Sequence, residues 1–209
     1  GLMRTPEIAG KIVDAVCKAV DVPVTVKCRL GWDKGNLNVL DFTKRMEDNG
    51  AALVTVHGRT RAMLYTGTAD WDMIHKVKDQ LSIPVIANGD ITGGEAAVKC
   101  LKRTGADGIM IGRSVFGDPW IFEEVAAAIK GEEYAGRPEL KNRIALAVKQ
   151  FQLSESDHGE YIACLEARKH FAWYLRGVRN ASYYKKEITS LKNMEDIYRV
   201  AKDIVRDLE

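Results

Sequence analysis

Short apolar segments recur along the first two-thirds of the chain, and a segment with helical spacing follows each of them. The apolar runs start near residues 24, 53, 84 and 108, so the successive spacings are 29, 31 and 24 residues. Each run is too short for a helix and is rich in Val and Ile, which favours a buried strand. Strands that alternate with helices in this way are typical of parallel βα units covered on both faces. The sequence therefore predicts an α/β fold here.

The composition changes near residues 131–138, and no strand pattern follows. Four helical segments are predicted after that point, over residues 139–156, 160–175, 181–190 and 194–208. We therefore predict two domains, with residues 1–136 forming part of a barrel and residues 137–209 forming an all-α helical bundle. A complete eight-stranded α/β barrel typically needs about 250 residues, so four βα units correspond to half of one.

Charge, hydropathy and cysteine spacing exclude several classes of protein. Lys and Arg number 31 against 29 Asp and Glu, a net charge of +2, which excludes a uniformly basic nucleic-acid binder but leaves room for a local basic patch. No stretch approaches the roughly 18 apolar residues of a membrane helix, so no membrane association is predicted. The four cysteines have no CxxC spacing, so we expect no metal site and reduced thiols in a cytoplasmic protein.

Polar and charged residues gather where each predicted strand ends, which is where ligands bind in parallel α/β folds. The four strand ends lie at residues 27–29, 57–61, 88–90 and 112–113. Alternation along the first strand places Lys27 on one face only. His57 alone could be an ordinary core histidine, but it occupies the equivalent end of the next strand. Together, Lys27 and His57 indicate a ligand site.

The last two strand ends resemble the pair of phosphate-binding loops that follow strands seven and eight of many barrels. They are Asn88-Gly89-Asp90 and Gly112-Arg113. Glycines allow close approach of the backbone to a phosphate, main-chain N–H groups and a helix N-terminus supply donors, and Arg113 adds a permanent charge. The alternative is that the glycines only form tight turns. The pattern predicts a phosphorylated ligand and the C-terminal half of a TIM (β/α)8 barrel.

The helical domain contains a strongly basic segment, residues 168–186, with six basic and no acidic residues. Aromatic residues are interleaved with the charges, as in surfaces that bind RNA phosphates and exposed bases. An equally simple interpretation is that the aromatic residues form the helix core and the charges face solvent. The six basic residues are Arg168, Lys169, Arg176, Arg179, Lys185 and Lys186.

The chain resembles the tRNA-dihydrouridine synthases, in particular the bacterial B-type branch. The resemblance covers essentially the whole chain, and its motifs are residues 24–32, 56–61, 86–91, 111–113 with 117–122, and 168–170 with 173–174. It implies an FMN-binding barrel followed by a helical tRNA-binding domain. It also implies an enzyme that reduces the C5–C6 bond of uridines in tRNA, with NADPH as the electron source.

The resemblance assigns site residues by motif. Lys27 and His57 would contact the flavin ring system. The phosphate and ribityl end of FMN would be held by Asn88, Gly89, Asp90, Gly112 and Arg113. The residues expected near the substrate or the tRNA are Arg59, Arg61, Tyr65, Arg168, Lys169, Arg176 and Arg179.

The chain departs from the family pattern in one large respect. The family's first flavin loop and its proton-donating cysteine loop have no counterpart, and Cys28 lacks the Gly-Cys-Pro context. We therefore expect the C-terminal part of a synthase that is monomeric when intact, with no catalytic residue of its own and no activity alone. The alternatives are another phosphate-binding barrel flavoenzyme or isomerase, and a non-catalytic tRNA-binding module.

Overall fold

The computed structural model, which describes residues 1–208, contains four parallel strands that alternate with helices. The sheet order is β1-β2-β3-β4, and every neighbouring pair is parallel. The predicted βα alternation is confirmed, and it forms part of an α/β barrel. The strands are β1 (Thr25–Arg29), β2 (Leu53–His57), β3 (Val85–Asn88) and β4 (Gly108–Met110).

Proline, capping and glycine residues mark the ends of several helices in this part of the chain. Pro6 occupies the first turn of α1, and Asp70 caps α3 by accepting a hydrogen bond from the Met73 N–H at 2.9 Å. Gly105 ends α4 in the left-handed conformation, with φ +64°. The helices are α1 (Pro6–Ala19), α2 (Val39–Asp48), α3 (Trp71–Gln80) and α4 (Gly94–Thr104).

The helix α5 (Ile121–Lys130) follows β4, as the predicted strand–helix alternation requires. No bounds for this helix are predicted from the sequence. Its first two residues lie within the 117–122 motif, after Gly117 and Pro119. Ile121 and Val125, one turn apart, are both buried, so the helix has an apolar face.

The core of the sheet consists of β-branched and small side chains with no exposed surface. Val54, Val56, Val85 and Ala87 are all fully buried. Burial of each of the three valines contributes roughly 1.5–3 kcal/mol. The same parallel register aligns the strand ends, with Arg29 opposite His57 and His57 opposite Asn88.

The chain divides into two compact units, and the second is all-helical. The first comprises residues 1–114 and 123–133, and the second comprises residues 115–122 and those from 134 onward. The core of the second unit includes Phe151 and Phe171, whose ring centroids lie 5.4 Å apart. Across residues 1–208, none of the helices is long and apolar enough to cross a membrane. The helices of this unit are α6 (Leu140–His158), α7 (Glu160–Tyr174), α8 (Ser182–Ile188) and α9 (Met194–Leu208).

Candidate functional site

The carboxyl ends of β1, β2 and β3 bring three of the sequence-predicted residues to one edge of the sheet. Lys27 is exposed near the end of β1, and His57 and Asn88, both largely buried, end β2 and β3 in direct register. Cys28 is buried on the opposite face of β1, as alternation requires. Asn88 Nδ2 donates a hydrogen bond to the Met110 carbonyl at 2.7 Å, which ties the ends of β3 and β4 together.

His57 is held as a neutral imidazole. Burial first, and then the charges of Arg29, Lys27 and Arg59, lower its pKa to about 4 against the opposing effect of Asp90. The pKa of Lys27 is also lowered, first by burial and then by Arg29. At neutral pH the site therefore offers one lysine and an uncharged ring that can donate one hydrogen bond and accept another.

The loop after β3 requires glycine at its second position. Gly89 has φ +117°, and a Cβ there would lie 2.8 Å from the Ala69 Cβ and 3.0 Å from the His57 Cδ2. The Gly89 carbonyl accepts a hydrogen bond from the Trp71 Nε1 at 3.1 Å. This glycine allows the loop to lie directly against the His57 ring.

Asp90, the third residue of that loop, is neutralised by a buried arginine. Arg59 is 2% exposed, and its Nη2 lies 2.9 Å from Asp90 Oδ2 and 2.6 Å from the Gly67 carbonyl. The Ala69 N–H also donates to Asp90, at 2.7 Å. Arg59 Nη1 is buried with no hydrogen-bond partner among residues 1–208. The structure thus places Arg59 inside a clamp that joins two loops.

The loop after β4 is open by comparison. Gly112 is exposed, and a Cβ there would meet nothing within 4 Å. The Arg113 guanidinium has no carboxylate partner among residues 1–208 and lies 4.1 Å from the centroid of the Tyr65 ring. Tyr65, which the sequence assigns to the substrate, is therefore in contact with the residue assigned to the phosphate.

The donors available at the two phosphate-type loops are fewer than the sequence pattern suggests. A short 3-10 helix, Arg113–Val115, follows Gly112. At the N-terminus of α4 one main-chain donor is already used, because the Gly94 N–H donates to Glu124 Oε1 at 2.7 Å. The Gly112 main chain and the Arg113 guanidinium are therefore open to an anion, and their chemistry suits a phosphate.

One residue at the site is missing from the sequence-predicted set. Arg29 ends β1 opposite His57, lowers the pKa of that histidine, and donates to the carbonyls of Thr60 at 2.9 Å and Leu64 at 3.1 Å. The signal was available in the sequence, since Arg29 is the last polar residue of a strand end that already contained Lys27.

The basic segment 168–186 divides its aromatic residues between core and surface. Phe171 and Tyr174 are core residues, whereas Trp173 is half-buried and stacks 4.5 Å from the Arg176 guanidinium. Arg168 donates through Nε to the Leu191 carbonyl at 2.7 Å. The remaining basic residues are exposed without carboxylate partners in the described part of the chain, namely Lys169, Arg176, Arg179, Lys185 and Lys186.

Four parallel βα units followed by a helical unit define a protein with part of an α/β barrel, and polar side chains lie along the carboxyl edge of its sheet. The family model described as Dihydrouridine synthase (Dus) matches residues 1–208, and the chain belongs to this family.

Curated relatives support the same assignment. The chain is 42% identical over 195 residues to "Probable tRNA-dihydrouridine synthase 1" of Synechocystis, and 39% identical over 195 residues to "tRNA-dihydrouridine synthase B" of Pasteurella multocida. Each alignment covers 93% of this chain, but the chain spans only 55% and 59% of those relatives. A solved structure, wild-type GGGPS from Thermoplasma volcanium, is 17% identical with a TM-score of 0.38, covering 61% of this chain and 55% of that one.

Proposed function

We propose that this chain provides the phosphate-binding loops and the tRNA-binding helices of an FMN-dependent tRNA-dihydrouridine synthase. Such an enzyme reduces the C5–C6 bond of uridine in tRNA with NADPH as the reductant, and the tRNA substrate implies a cytoplasmic protein. The observation that carries the proposal is that Lys27, a neutral His57 and the open Gly112–Arg113 loop all lie at or near the carboxyl ends of strands in one parallel sheet. Membership of the dihydrouridine synthase family supports it.

The residues at this edge suit FMN in their chemistry. FMN supplies the redox chemistry when it is bound. The Gly112 main chain and the Arg113 guanidinium would hold its phosphate, because both are open and no carboxylate competes for Arg113. Lys27 and the neutral His57 would hydrogen-bond the electron-rich edge of the flavin ring. Asn88 and Gly89 would lie along the ribityl chain.

Asp90 has a different role in this proposal. Its carboxylate is already engaged by Arg59 and by the Ala69 N–H, so it neither repels the phosphate nor needs to contact it. We infer that Asp90 and Arg59 position the loop that carries Gly89. Arg59 would then serve the cofactor loop, while the exposed Arg61 and Tyr65 face the substrate.

The tRNA would be bound largely by the exposed cations of the helical segment. Lys169, Arg176 and Arg179 have no carboxylate partners among residues 1–208, so their charges are free for phosphates. Arg168 uses Nε for a main-chain carbonyl, which leaves its terminal nitrogens for a phosphate.

The cysteines of this chain do not suit the proton donor that protonates the uracil carbon. Cys28 is buried on the face of β1 opposite Lys27, and burial raises its pKa to about 12. Cys100 is buried on α4 with its pKa raised to about 11. Cys17 donates to the Gly50 carbonyl, and Cys164 lies on α7. We therefore expect the 209-residue chain to complete no reduction by itself.

Titration of FMN into the purified chain, followed by quenching of flavin fluorescence, tests the cofactor part of the proposal. Loss of a charge-assisted contact of about 1.5–3 kcal/mol predicts roughly tenfold to hundredfold weaker binding for Arg113→Ala. Arg103→Ala removes an exposed arginine that pairs with Asp72, and should bind FMN as the wild type does. Equal affinities for the two variants would contradict the assignment.

A turnover assay tests the catalytic part. The chain is incubated with FMN, NADPH and unmodified tRNA, and the RNA is digested and analysed for dihydrouridine by mass spectrometry. No dihydrouridine is expected. Its formation would show that the chain contains a proton donor that the proposal does not assign.

A further inference from the structure

Two arginines and a tryptophan form a cluster near the loops that follow β1 and β2. The Arg4 Cζ lies 5.1 Å from the centroid of the Trp32 ring, and the Arg61 Cζ lies 5.2 Å from it. Both arginines are exposed and Trp32 is half-buried. Within residues 1–208, neither guanidinium has a hydrogen-bond acceptor or a carboxylate partner. One aromatic ring therefore supports two cations whose N–H groups are free to bind a ligand.

Hydrogen bonds hold the parts of this cluster in place. The main-chain N–H of Ala62 donates to the Trp32 carbonyl at 2.8 Å. The main-chain N–H of Arg61 donates to the Gly31 carbonyl at 3.0 Å. Asn38 Nδ2 donates to the Met3 carbonyl at 2.7 Å, which anchors the segment beside Arg4. The two cations are thus presented by connected segments, and less order has to be gained when a ligand binds.

The local charge favours an anion. Residues 1–6, 30–38 and 58–69 together contain four basic residues and a single acidic one, Asp33. The Asp33 Oδ1 accepts hydrogen bonds from the Gly35 N–H at 2.9 Å and the Asn36 Nδ2 at 2.8 Å. This carboxylate is therefore used within its own loop and does not pair with the arginines.

We propose that Arg4, Trp32 and Arg61 form an RNA-phosphate site on the first unit, additional to the basic segment 168–186. The guanidinium fork matches phosphate oxygens, and stacking on Trp32 leaves its edge free for them. The cluster lies beside the loops that carry the carboxyl-edge residues of β1 and β2, where the proposed substrate has to reach. This inference rests on the tRNA substrate of the proposed function.

The test is equilibrium binding of unmodified tRNA to the purified chain by fluorescence anisotropy, between 50 and 200 mM salt. Arg4→Ala and Arg61→Ala are each expected to bind about five- to tenfold more weakly near 0.1 M salt, because each removes one phosphate contact. The slope of log K against log salt should fall in magnitude by about 1 for each variant. Arg103→Ala is the matched control, since it removes the same charge from an arginine that stacks on no ring.

Trp32→Leu distinguishes the contribution of the aromatic ring to RNA binding from that of the two arginine charges. It retains both cations but removes the ring, so binding should weaken by a smaller factor of about two to three. Circular dichroism establishes that each variant is folded before its affinity is compared. If the wild type binds tRNA and Arg4→Ala and Arg61→Ala behave like Arg103→Ala, the inference is overturned while the proposed function stands.

The remaining outcomes separate the two proposals further. If the wild type has no salt-dependent affinity for tRNA, the RNA site and the tRNA-binding part of the proposed function are both wrong. If binding depends on Arg4 and Arg61 but FMN does not bind the chain, the RNA site stands and the cofactor assignment fails.

Discussion

Two arginines that are two residues apart have opposite environments. Arg59 is 2% exposed and donates to Asp90 and to the carbonyls of Thr66 and Gly67. Arg61 is exposed, and its guanidinium lies 5.2 Å from the centroid of the Trp32 ring with no hydrogen-bond or carboxylate partner among the described residues. The first therefore stabilises the loops, whereas the second has a free charge for binding.

This difference predicts that substitution of the two arginines lowers the free energy of unfolding by different amounts. Arg59→Met leaves the partly buried Asp90 carboxylate and two carbonyls without their donor, so the free energy of unfolding should fall by about 3 kcal/mol. Arg61→Met loses only an exposed stacking contact, which is worth about 0.5–1 kcal/mol. Urea denaturation of the two variants measures the difference. Equal losses would mean that the Arg59 clamp does not stabilise the fold.

The low pKa of His57 predicts a dependence of stability on pH. The unfolded chain protonates this histidine near pH 6.5, but the folded chain does so only near pH 4. Between these values the unfolded state binds more protons, so stability falls as the pH is lowered. His57→Gln should remove about 1 kcal/mol of the loss between pH 6 and pH 5, measured by urea denaturation. His75→Gln, at an exposed histidine, is the control, and the same slope in both variants would contradict the prediction.

At the scale of elements, the C-terminus of α7 is completed by groups from elsewhere in the second unit. Arg143 donates to the Tyr174 carbonyl, and Arg137 donates to the Arg176 carbonyl at 3.2 Å and to the Gly117 carbonyl at 2.6 Å. Carbonyls at a helix C-terminus lack helical partners and are negative, so arginine donors suit them. These bonds join residues 115–122 to the end of α7.

Gly117 makes that contact possible, and a matched glycine tests it. Gly117 has φ +67°, and a Cβ there would lie 2.3 Å from the Trp173 carbonyl carbon. Gly177 has φ +80° with nothing within 4 Å of its Cβ position. Gly177→Ala should cost about 1–2 kcal/mol from backbone strain alone. Gly117→Ala should cost at least about 2 kcal/mol more, because main-chain atoms have to move. Thermal unfolding measures the loss of stability in each variant. Similar losses would contradict the prediction that a Cβ at Gly117 clashes with the end of α7.

At the scale of the whole molecule, an apolar stripe on α1 is not buried by any other part of the described chain. Ile8, Ile12 and Val16 repeat every four residues and are 52%, 44% and 41% exposed. Val22, just beyond the helix, is 68% exposed. Contiguous apolar surface of this kind is uncommon on soluble monomers and marks a surface that another chain or segment covers. The two edge strands of the sheet, β1 and β4, add unpaired backbone groups.

We therefore predict that the 209-residue chain self-associates when it is purified alone. Ile12→Lys should shift the distribution towards monomer by about tenfold in the association constant, because burying an isoleucine is worth about 1.5–3 kcal/mol. Ala145→Lys, at an exposed position on a different helix, α6, is the control for an added charge. Sedimentation velocity over a range of concentrations distinguishes them. A wild type that stays monomeric at all concentrations would refute the prediction.

The amino-acid sequence by itself determined the βα alternation, the helical unit and the family. Periodicity, strand spacing and motif residues such as Asn88-Gly89-Asp90 are local, so they can be read along the chain. The helix after the fourth strand was expected from the same alternation, but its bounds, Ile121–Lys130, were given only by the structure.

Only the tertiary structure decided what each polar residue at the sheet edge does. The sequence placed Arg59 and Arg61 together near the substrate, and Asp90 within the phosphate-binding loop. Loop contacts over about 30 residues then buried Arg59 against Asp90, neutralised that carboxylate and left Arg61 exposed. Such contacts depend on how loops meet across strand ends and carry no periodic signal. The sequence therefore predicts where the candidate site lies, and the packing of the loops decides which charges remain free there.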